Sequence, residues 1–231
     1  MRQGLALQPG RGRVQPGSAR LYAAVLLGML PAAQALAADC TSGLGRGWPP
    51  AVGNYGQAVE TLFEGKAQPA LSLVTLPKSG VETGVALLRG TQEQEWTLRY
   101  SRADKRVYTW NNSARQGGLE LRVDQEPDQY QVSIPAALAQ RLVRSWQAAL
   151  DAAVPADRKA AVLEGEVLSF QVDGQRFSGP RPECGTGKLM MKQVALLIEA
   201  SDTKEKKLDR RWKDLDESLD ELQQLLAGTT G

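Results

Sequence analysis

The chain has 231 residues, of which 28 are basic and 26 acidic, with two cysteines and no histidine. Without histidine, Cys-His and Ser-His-Asp catalysis are excluded, and an ordinary zinc site lacks ligands, so we expect no metal and no cofactor. The charges are nearly balanced, which argues against the dense positive surface of a nucleic-acid-binding protein.

The first 37 residues have the pattern of an export signal. Four arginines and no acidic residue precede the apolar run LYAAVLLGML, and the small-x-small site Ala35-Leu36-Ala37 follows it. The run is shorter than the roughly 20 apolar residues of a spanning helix. We therefore predict a signal peptide over 1–37 and a periplasmic or secreted protein that begins at Ala38. Removing the four arginines leaves 24 basic against 26 acidic residues, a net charge of −2.

Cys40 and Cys184 are the two cysteines of the chain. Asp39, directly before Cys40, breaks the small-residue pattern that a lipid-modified cysteine requires. In an oxidising compartment two cysteines predict a disulfide, here one that closes a loop of more than 100 residues.

The first part of the mature chain predicts a loop, a short helix and a sheet. Glycine and proline are frequent over 41–56, and a helix is predicted over Gln57–Lys66. From Leu71 to Ile134, apolar and polar residues alternate in short runs separated by turn residues. This pattern predicts an antiparallel meander of five or six strands with one solvated face.

The pattern then changes to helical spacing. A helix is predicted over Pro135–Asp151, with Ser133 as its cap, lying on the apolar face of the sheet. A β-hairpin follows over 163–179, with its turn at Asp173-Gly174 and with Phe170 facing Phe177. A second helix begins near Gly187, with Thr186 as its cap. The predicted fold class is therefore α+β, as a single domain over 38–200.

The C-terminal segment 201–231 is predicted to be an amphipathic, coiled-coil-like helix, either kinked or turning at Ser201–Lys204. Its apolar residues repeat at spacings of four and three. They are Leu208, Trp212, Leu215, Leu219, Leu222 and Leu226. The first half of this helix is basic and the second half acidic, which opposes the helix dipole. We expect stabilisation from elsewhere, either from a second copy or partner helix, or from the protein's own body.

The stretch PECGTGK at 182–188 resembles neither a phosphate loop nor an active site on inspection. A phosphate loop requires glycine where Pro182 stands and serine or threonine where Leu189 stands. We interpret the glycines as the turn into the second helix. Glu164 and Glu166, two apart in a predicted strand, are a weak candidate for a general acid and base in an envelope hydrolase.

Four aromatic residues of the predicted sheet form a second weak candidate, a ligand surface for sugar or peptidoglycan. They are Trp96, Tyr100, Tyr108 and Trp110. Their alternation fits core packing equally well.

These observations favour a non-catalytic periplasmic binding protein of the inhibitor, immunity, chaperone or assembly-factor type. The predicted partner is another protein or a second copy, bound through the C-terminal helix. A hydrolase using Glu164 and Glu166, and a small-ligand carrier with an aromatic-lined cavity, are the alternatives.

Overall fold

The computed structural model describes residues 43–92, 94–111 and 118–229. The predicted α+β class with an antiparallel sheet and C-terminal helices is confirmed. The strands are β1 (Gly45–Arg46), β2 (Leu71–Leu76), β3 (Thr83–Arg89), β4 (Trp96–Arg102), β5 (Tyr108–Asn111), β6 (Gly118–Leu121), β7 (Asp128–Ser133), β8 (Val167–Val172) and β9 (Gln175–Gly179). The helices are α1 (Gly53–Glu64), α2 (Ala136–Ala153), α3 (Gly185–Ser201) and α4 (Leu208–Thr229), with a 3-10 turn over Glu205–Lys207.

Seven strands form one antiparallel sheet in the order β1-β9-β8-β2-β3-β4-β7. β5 and β6 pair with each other in a separate hairpin, so the meander is interrupted between β4 and β7. The β8–β9 hairpin turns at Asp173 and Gly174, whose φ angles are 43° and 79°, as a tight two-residue turn requires. This hairpin sets Phe170 opposite Phe177, as predicted, and joins the sheet beside β2.

One face of the sheet, which we call the helical face, carries the main hydrophobic core. Its large side chains are fully buried beneath α2, which packs on β8, and α3, which packs on β3, β4 and β7. Those at 0% exposure include Leu71, Leu87, Leu98, Phe170 and Phe177. Each such side chain contributes about 1.5–3 kcal/mol through removal from water, so this layer dominates the stability of the fold.

α4 packs on the outer side of α2 and α3, after a turn that follows Ser201. Gln193 of α3 joins the three helices, because Trp146 Nε1 of α2 donates to its Oε1 at 2.6 Å. Gln193 Nε2 in turn donates to the carbonyl oxygen of Ser218 in α4 at 3.0 Å. Leu208–Thr229 is therefore a helix of the same body, and it forms a helical pair with α3 rather than one kinked helix.

The opposite face, which we call the polar face, carries Ser72, Arg99, Ser169, Gln171 and Arg176 by strand alternation. α1 covers part of it with an apolar stripe, Tyr55, Val59 and Phe63, packed against Val74, Leu76 and Val167. Gly84 makes room for this helix, because a Cβ at that position would lie 2.8 Å from Phe63 Cδ2.

Helix boundaries differ from the sequence predictions by a few residues. α1 begins at Gly53 instead of Gln57, and α2 begins at Ala136 after Pro135, without a side-chain cap from Ser133. α3 begins at Gly185, so Thr186 lies inside the helix and Cys184 takes the cap position. The physical reason is that Gly185, with φ 57°, makes the turn two residues earlier than the sequence predicted.

Candidate functional site

The structure places neither Glu164 nor Glu166 on a strand. Both precede β8, which begins at Val167. Glu164 lies in a bend with Gly165, whose φ of 127° is a conformation that breaks strand alternation. Glu166 accepts from Arg181 Nε at 2.9 Å, while Glu164 is exposed. Glu164 and Glu166 therefore do not share a strand face, which the predicted acid–base pair requires.

The four aromatic candidates do not share one surface. Trp96 is 6% exposed and packs in the main core, with the Arg89 guanidinium 5.4 Å from its ring. Tyr100 stacks on Tyr130 at 6.2 Å between ring centroids, on the helical face. Tyr108 belongs to the β5–β6 hairpin, 4.8 Å from the Tyr55 ring on the other side of the sheet. The side chain of Trp110 lies outside the described residues.

Cys184 lines a cleft of ≈ 360 Å³ at the start of α3, together with Pro182, Glu183, Thr186 and Gly187 of the same stretch. The apolar floor of the cleft includes Leu44, Leu150 and Met190, and Gly43 lines the same cleft. Cys40 lies outside the described residues, so its disulfide with Cys184 stays a prediction. Cys40 lies three positions before Gly43 in the sequence, which corresponds to a reach of roughly 10 Å in an extended chain.

The apolar seam of α4 faces the chain's own body. Trp212, Leu215, Leu219 and Leu222 are buried in the main core, and Leu208 and Leu226 pack partly buried against it. This is the body-packing alternative that the sequence left open. A partner that bound α4 would therefore have to use the polar side of this helix.

The reversed charges of α4 also find partners within the chain. Its acidic half meets Arg141 of α2, whose guanidinium bonds Asp216 and Asp220, and Lys192 of α3, which lies 2.9 Å from Glu221. Its basic half places Arg211 Nη1 2.9 Å from Glu199 at the end of α3. Most of these groups are exposed, so each pair contributes less than about 1 kcal/mol, and together they fix the orientation of α4.

The polar face holds an ion-pair network that the sequence did not reveal. Arg176 of β9 forms a two-pronged pair with Glu60 of α1, in which Nη2 lies 3.0 Å from Oε2. The same guanidinium donates to Ser169 Oγ at 3.1 Å and to Gln171 Oε1 at 3.0 Å, and it lies 4.5 Å from the Trp48 ring centroid. Because both partners are mostly buried, this network ties α1 and the N-terminal loop to β8 and β9.

Glu64, one turn after Glu60, has a perturbed carboxyl group. Burial raises the pKa of Glu64 to about 7, with Glu60 acting in the same direction and Arg176 and Arg99 acting against it. The end of α1 is also held by β4 and β7 on the polar face, because the Phe63 carbonyl oxygen accepts from Arg99 Nη1 and Gln129 Nε2 at 3.4 and 3.3 Å.

A second buried carboxyl group, Glu82, anchors the β5–β6 hairpin. It is 0% exposed and accepts the Tyr55 hydroxyl, the Val107 backbone N–H at 2.9 Å and the Tyr108 backbone N–H at 3.4 Å. Burial and the bond to Glu82 raise the pKa of Tyr55, so this phenol remains a donor. These three donors occupy most of the roughly four accepting sites of the Glu82 carboxylate, which therefore serves to position the hairpin.

The two edges of the seven-stranded sheet are built differently. At the β1 edge, which we call the closed edge, Arg46 N–H donates to the Arg158 carbonyl oxygen at 2.8 Å and Ala160 N–H to the Arg46 carbonyl oxygen at 3.1 Å. Gly45 permits this approach, since a Cβ there would lie 2.3 Å from the Lys159 carbonyl oxygen. The loop at 158–160 therefore occupies the hydrogen-bonding groups of this edge.

At the β7 edge, which we call the open edge, β7 pairs only with β4 among the described residues. Ile134 N–H donates to the Trp96 carbonyl oxygen at 3.1 Å. Since hydrogen-bonded and non-hydrogen-bonded pairs alternate along an antiparallel ladder, this bond determines which residues of β7 bond β4. Tyr130 and Val132 therefore direct their N–H and C=O groups toward β4, whereas Gln129, Gln131 and Ser133 direct theirs outward.

The open edge lacks the usual devices that prevent edge pairing, which are lysine, an internal proline and a bulge. β7 reads DQYQVS, pairs with β4 in unbroken register and carries a single charge at its first residue. Residues 128–131 and Ser133 are exposed, and Tyr130 is 41% exposed beside the half-buried Tyr100. Within the described part of the chain, β7 thus combines outward backbone groups that have no partner strand with exposed aromatic surface, which is typical of a strand that accepts another strand.

Comparison of this chain with protein-family models, with curated proteins and with solved structures gives no match. None of the described helices has the length and apolar content of a membrane span. In the same described part of the chain, no cluster of three or more metal-binding side chains is present.

Proposed function

We propose that this protein is a non-catalytic binding protein of the periplasm that takes up an extended strand of a partner chain along β7. The observation that carries the proposal is the difference between the sheet's two edges. One edge is closed by the chain's own loop, whereas the other presents three outward N–H and C=O pairs beside an exposed tyrosine. Inhibitor, immunity, chaperone and assembly-factor proteins all require such a contact surface.

Strand addition explains how this surface could bind with specificity. Main-chain hydrogen bonds to Gln129, Gln131 and Ser133 supply affinity, and the side chains that alternate along the added strand select the partner. On the helical face the added strand meets Tyr130, and on the polar face it meets Gln129 and Gln131. This chemistry favours a partner strand with apolar residues at every second position.

The proposal is tested by site-specific photo-crosslinking in cells that export the protein. A photo-reactive residue at Gln131 is expected to give a covalent adduct, because a bound strand lies within hydrogen-bonding distance of this position. The matched control carries the same group at Lys159, an exposed residue of the loop on the closed edge. Adducts from Lys159 without adducts from Gln131 contradict the proposal, as does the absence of adducts at both positions.

A further inference from the structure

The sequence of β7 fits one partner strand in particular, and the inference rests on the proposed function of the open edge. We propose that the strand bound there is β7 of a second copy of this chain, paired antiparallel about Gln131. The two sheets then join into one continuous sheet across a twofold axis.

The backbone geometry supports this register. In a twofold-symmetric antiparallel pair, one residue lies opposite its own copy, and the axis passes midway between the two. If this residue is Gln131, Gln129 lies opposite Ser133 of the second copy. All three of these residues direct their N–H and C=O groups outward, as fixed by the Ile134–Trp96 bond on the inner side. Every outward group between Gln129 and Ser133 therefore meets an outward group of the second copy.

The side chains are self-complementary in the same register. On the helical face Tyr130 meets Val132 twice, an aromatic–β-branched pair of the kind that stabilises antiparallel strands. On the polar face Gln129 meets Ser133, and Gln131 meets its own copy, so only uncharged polar groups face each other. Asp128 is the only charged residue of β7, and it lies at the end of the strand, away from the Asp128 of the second copy.

Exposed surface beside β7 gives the pairing an apolar component. Tyr130 is 41% exposed and stacks on Tyr100, while Val132 is partly buried against the main core. α3 packs on the helical face of β7, so the second copy contacts a strand that a helix already holds in position. Pairing two such strands covers both tyrosines.

The register is tested by opposite charges at one position. In Gln131→Asp two carboxylates face each other across the axis, and in Gln131→Lys two ammonium groups do so. Each variant alone is expected to weaken the dimer by about fivefold in Kd, and an equimolar mixture is expected to restore it, because unlike charges then face each other. Sedimentation velocity of protein purified from the periplasm measures this. A mixture no tighter than the two separate variants overturns the register.

Removal of the central hydrogen bonds gives a second, independent test. Gln131→Pro deletes an outward N–H in each copy while leaving the β4 side of the ladder intact, and it is expected to weaken the dimer by at least about tenfold. Gln131→Thr keeps the N–H and a strand-favouring side chain, and it is expected to dimerise as the parent does. Equal dimerisation of the proline and threonine variants overturns the proposal.

The failure of this inference differs from the failure of the proposed function. A parent protein that remains monomeric at every concentration, but is crosslinked from Gln131 to a different protein, overturns self-pairing and leaves strand addition in place. A monomeric parent without adducts at Gln131 overturns both.

Discussion

The two edges of the sheet differ in whether the chain itself covers the outward backbone groups of the edge strand. At the closed edge, Gly45 allows the loop at 158–160 to approach, and this loop bonds both the N–H and the C=O of Arg46. At the open edge, five residues of exposed strand carry one aromatic side chain and no protective device. The chain therefore closes one edge with its own loop and leaves the other without such a loop among the described residues, which is the difference on which the proposed binding role of β7 rests.

The largest expected effect concerns the covalent link near the closed edge. If Cys40 and Cys184 form the predicted disulfide, mild reduction lowers the free energy of unfolding by about 4 kcal/mol, because a long loop of the unfolded chain is released. Urea unfolding with and without reductant measures this, and Cys184→Ser serves as the control that reductant should not affect. Two thiols that titrate as free in the native exported protein contradict the prediction.

The next effect concerns the ion-pair network beside the closed edge. Arg176→Met leaves the Glu60 carboxylate without its partner in a mostly buried position, so a loss of about 3 kcal/mol is expected. The matched control is Arg181→Met, which breaks the more exposed pair with Glu166 and should cost less than about 1 kcal/mol. Equal losses in urea unfolding show that the network does not hold α1 to the sheet.

A single methyl group should be enough to disturb the closed edge itself. In Gly45→Ala the new Cβ meets backbone atoms of Lys159 and Ala160 at 2.3–2.4 Å, and a loss of about 2 kcal/mol is expected. Faster amide exchange at Arg46 and Ala160 should accompany it. Gly53→Ala is the control, because the nearest atom lies at an ordinary contact distance of 3.7 Å. Unchanged exchange at Ala160 contradicts the described closure.

The smallest effect is a pH dependence from Glu64, which lies between Arg176 on one side and Arg99 on the other. Its folded pKa of about 7 is above the ordinary value of 4.5, so between these values the folded state keeps a proton that the unfolded state has lost. Stability from this group is therefore lost as pH rises through that window. Glu64→Gln should be more stable than the parent at pH 8, with the advantage shrinking toward pH 5. An advantage that is independent of pH contradicts the assignment.

The sequence predicts the structural features that depend on residues close together in the chain. Asp173-Gly174 determines the β8–β9 turn and the facing of Phe170 and Phe177, because a two-residue turn fixes register directly. It does not predict the pairing of Arg176 with Glu60, 116 positions apart, or the burial of Glu82, since both depend on how distant elements dock. The apolar seam of α4 predicts that one face of this helix is buried. It does not specify whether the chain's own body or a partner helix buries it.

The open edge could be predicted only in part for the same reason. Alternation around Tyr130 identifies a strand, yet nothing local shows that β5 and β6 leave the sheet and make β7 its last strand. The absence of lysine and proline in DQYQVS becomes informative only when the strand is known to lie at an edge.

Amide hydrogen exchange along β7, followed residue by residue at two protein concentrations, measures directly whether this edge is open and whether it binds a second strand. In dilute solution we predict fast exchange at Gln129, Gln131 and Ser133 and slow exchange at Tyr130 and Val132, because only the latter amides are bonded to β4. At concentrations that favour the dimer, all five should exchange slowly. Slow exchange of the three outward amides in the dilute monomer, or fast exchange of them in the dimer, contradicts an open edge that binds a second strand.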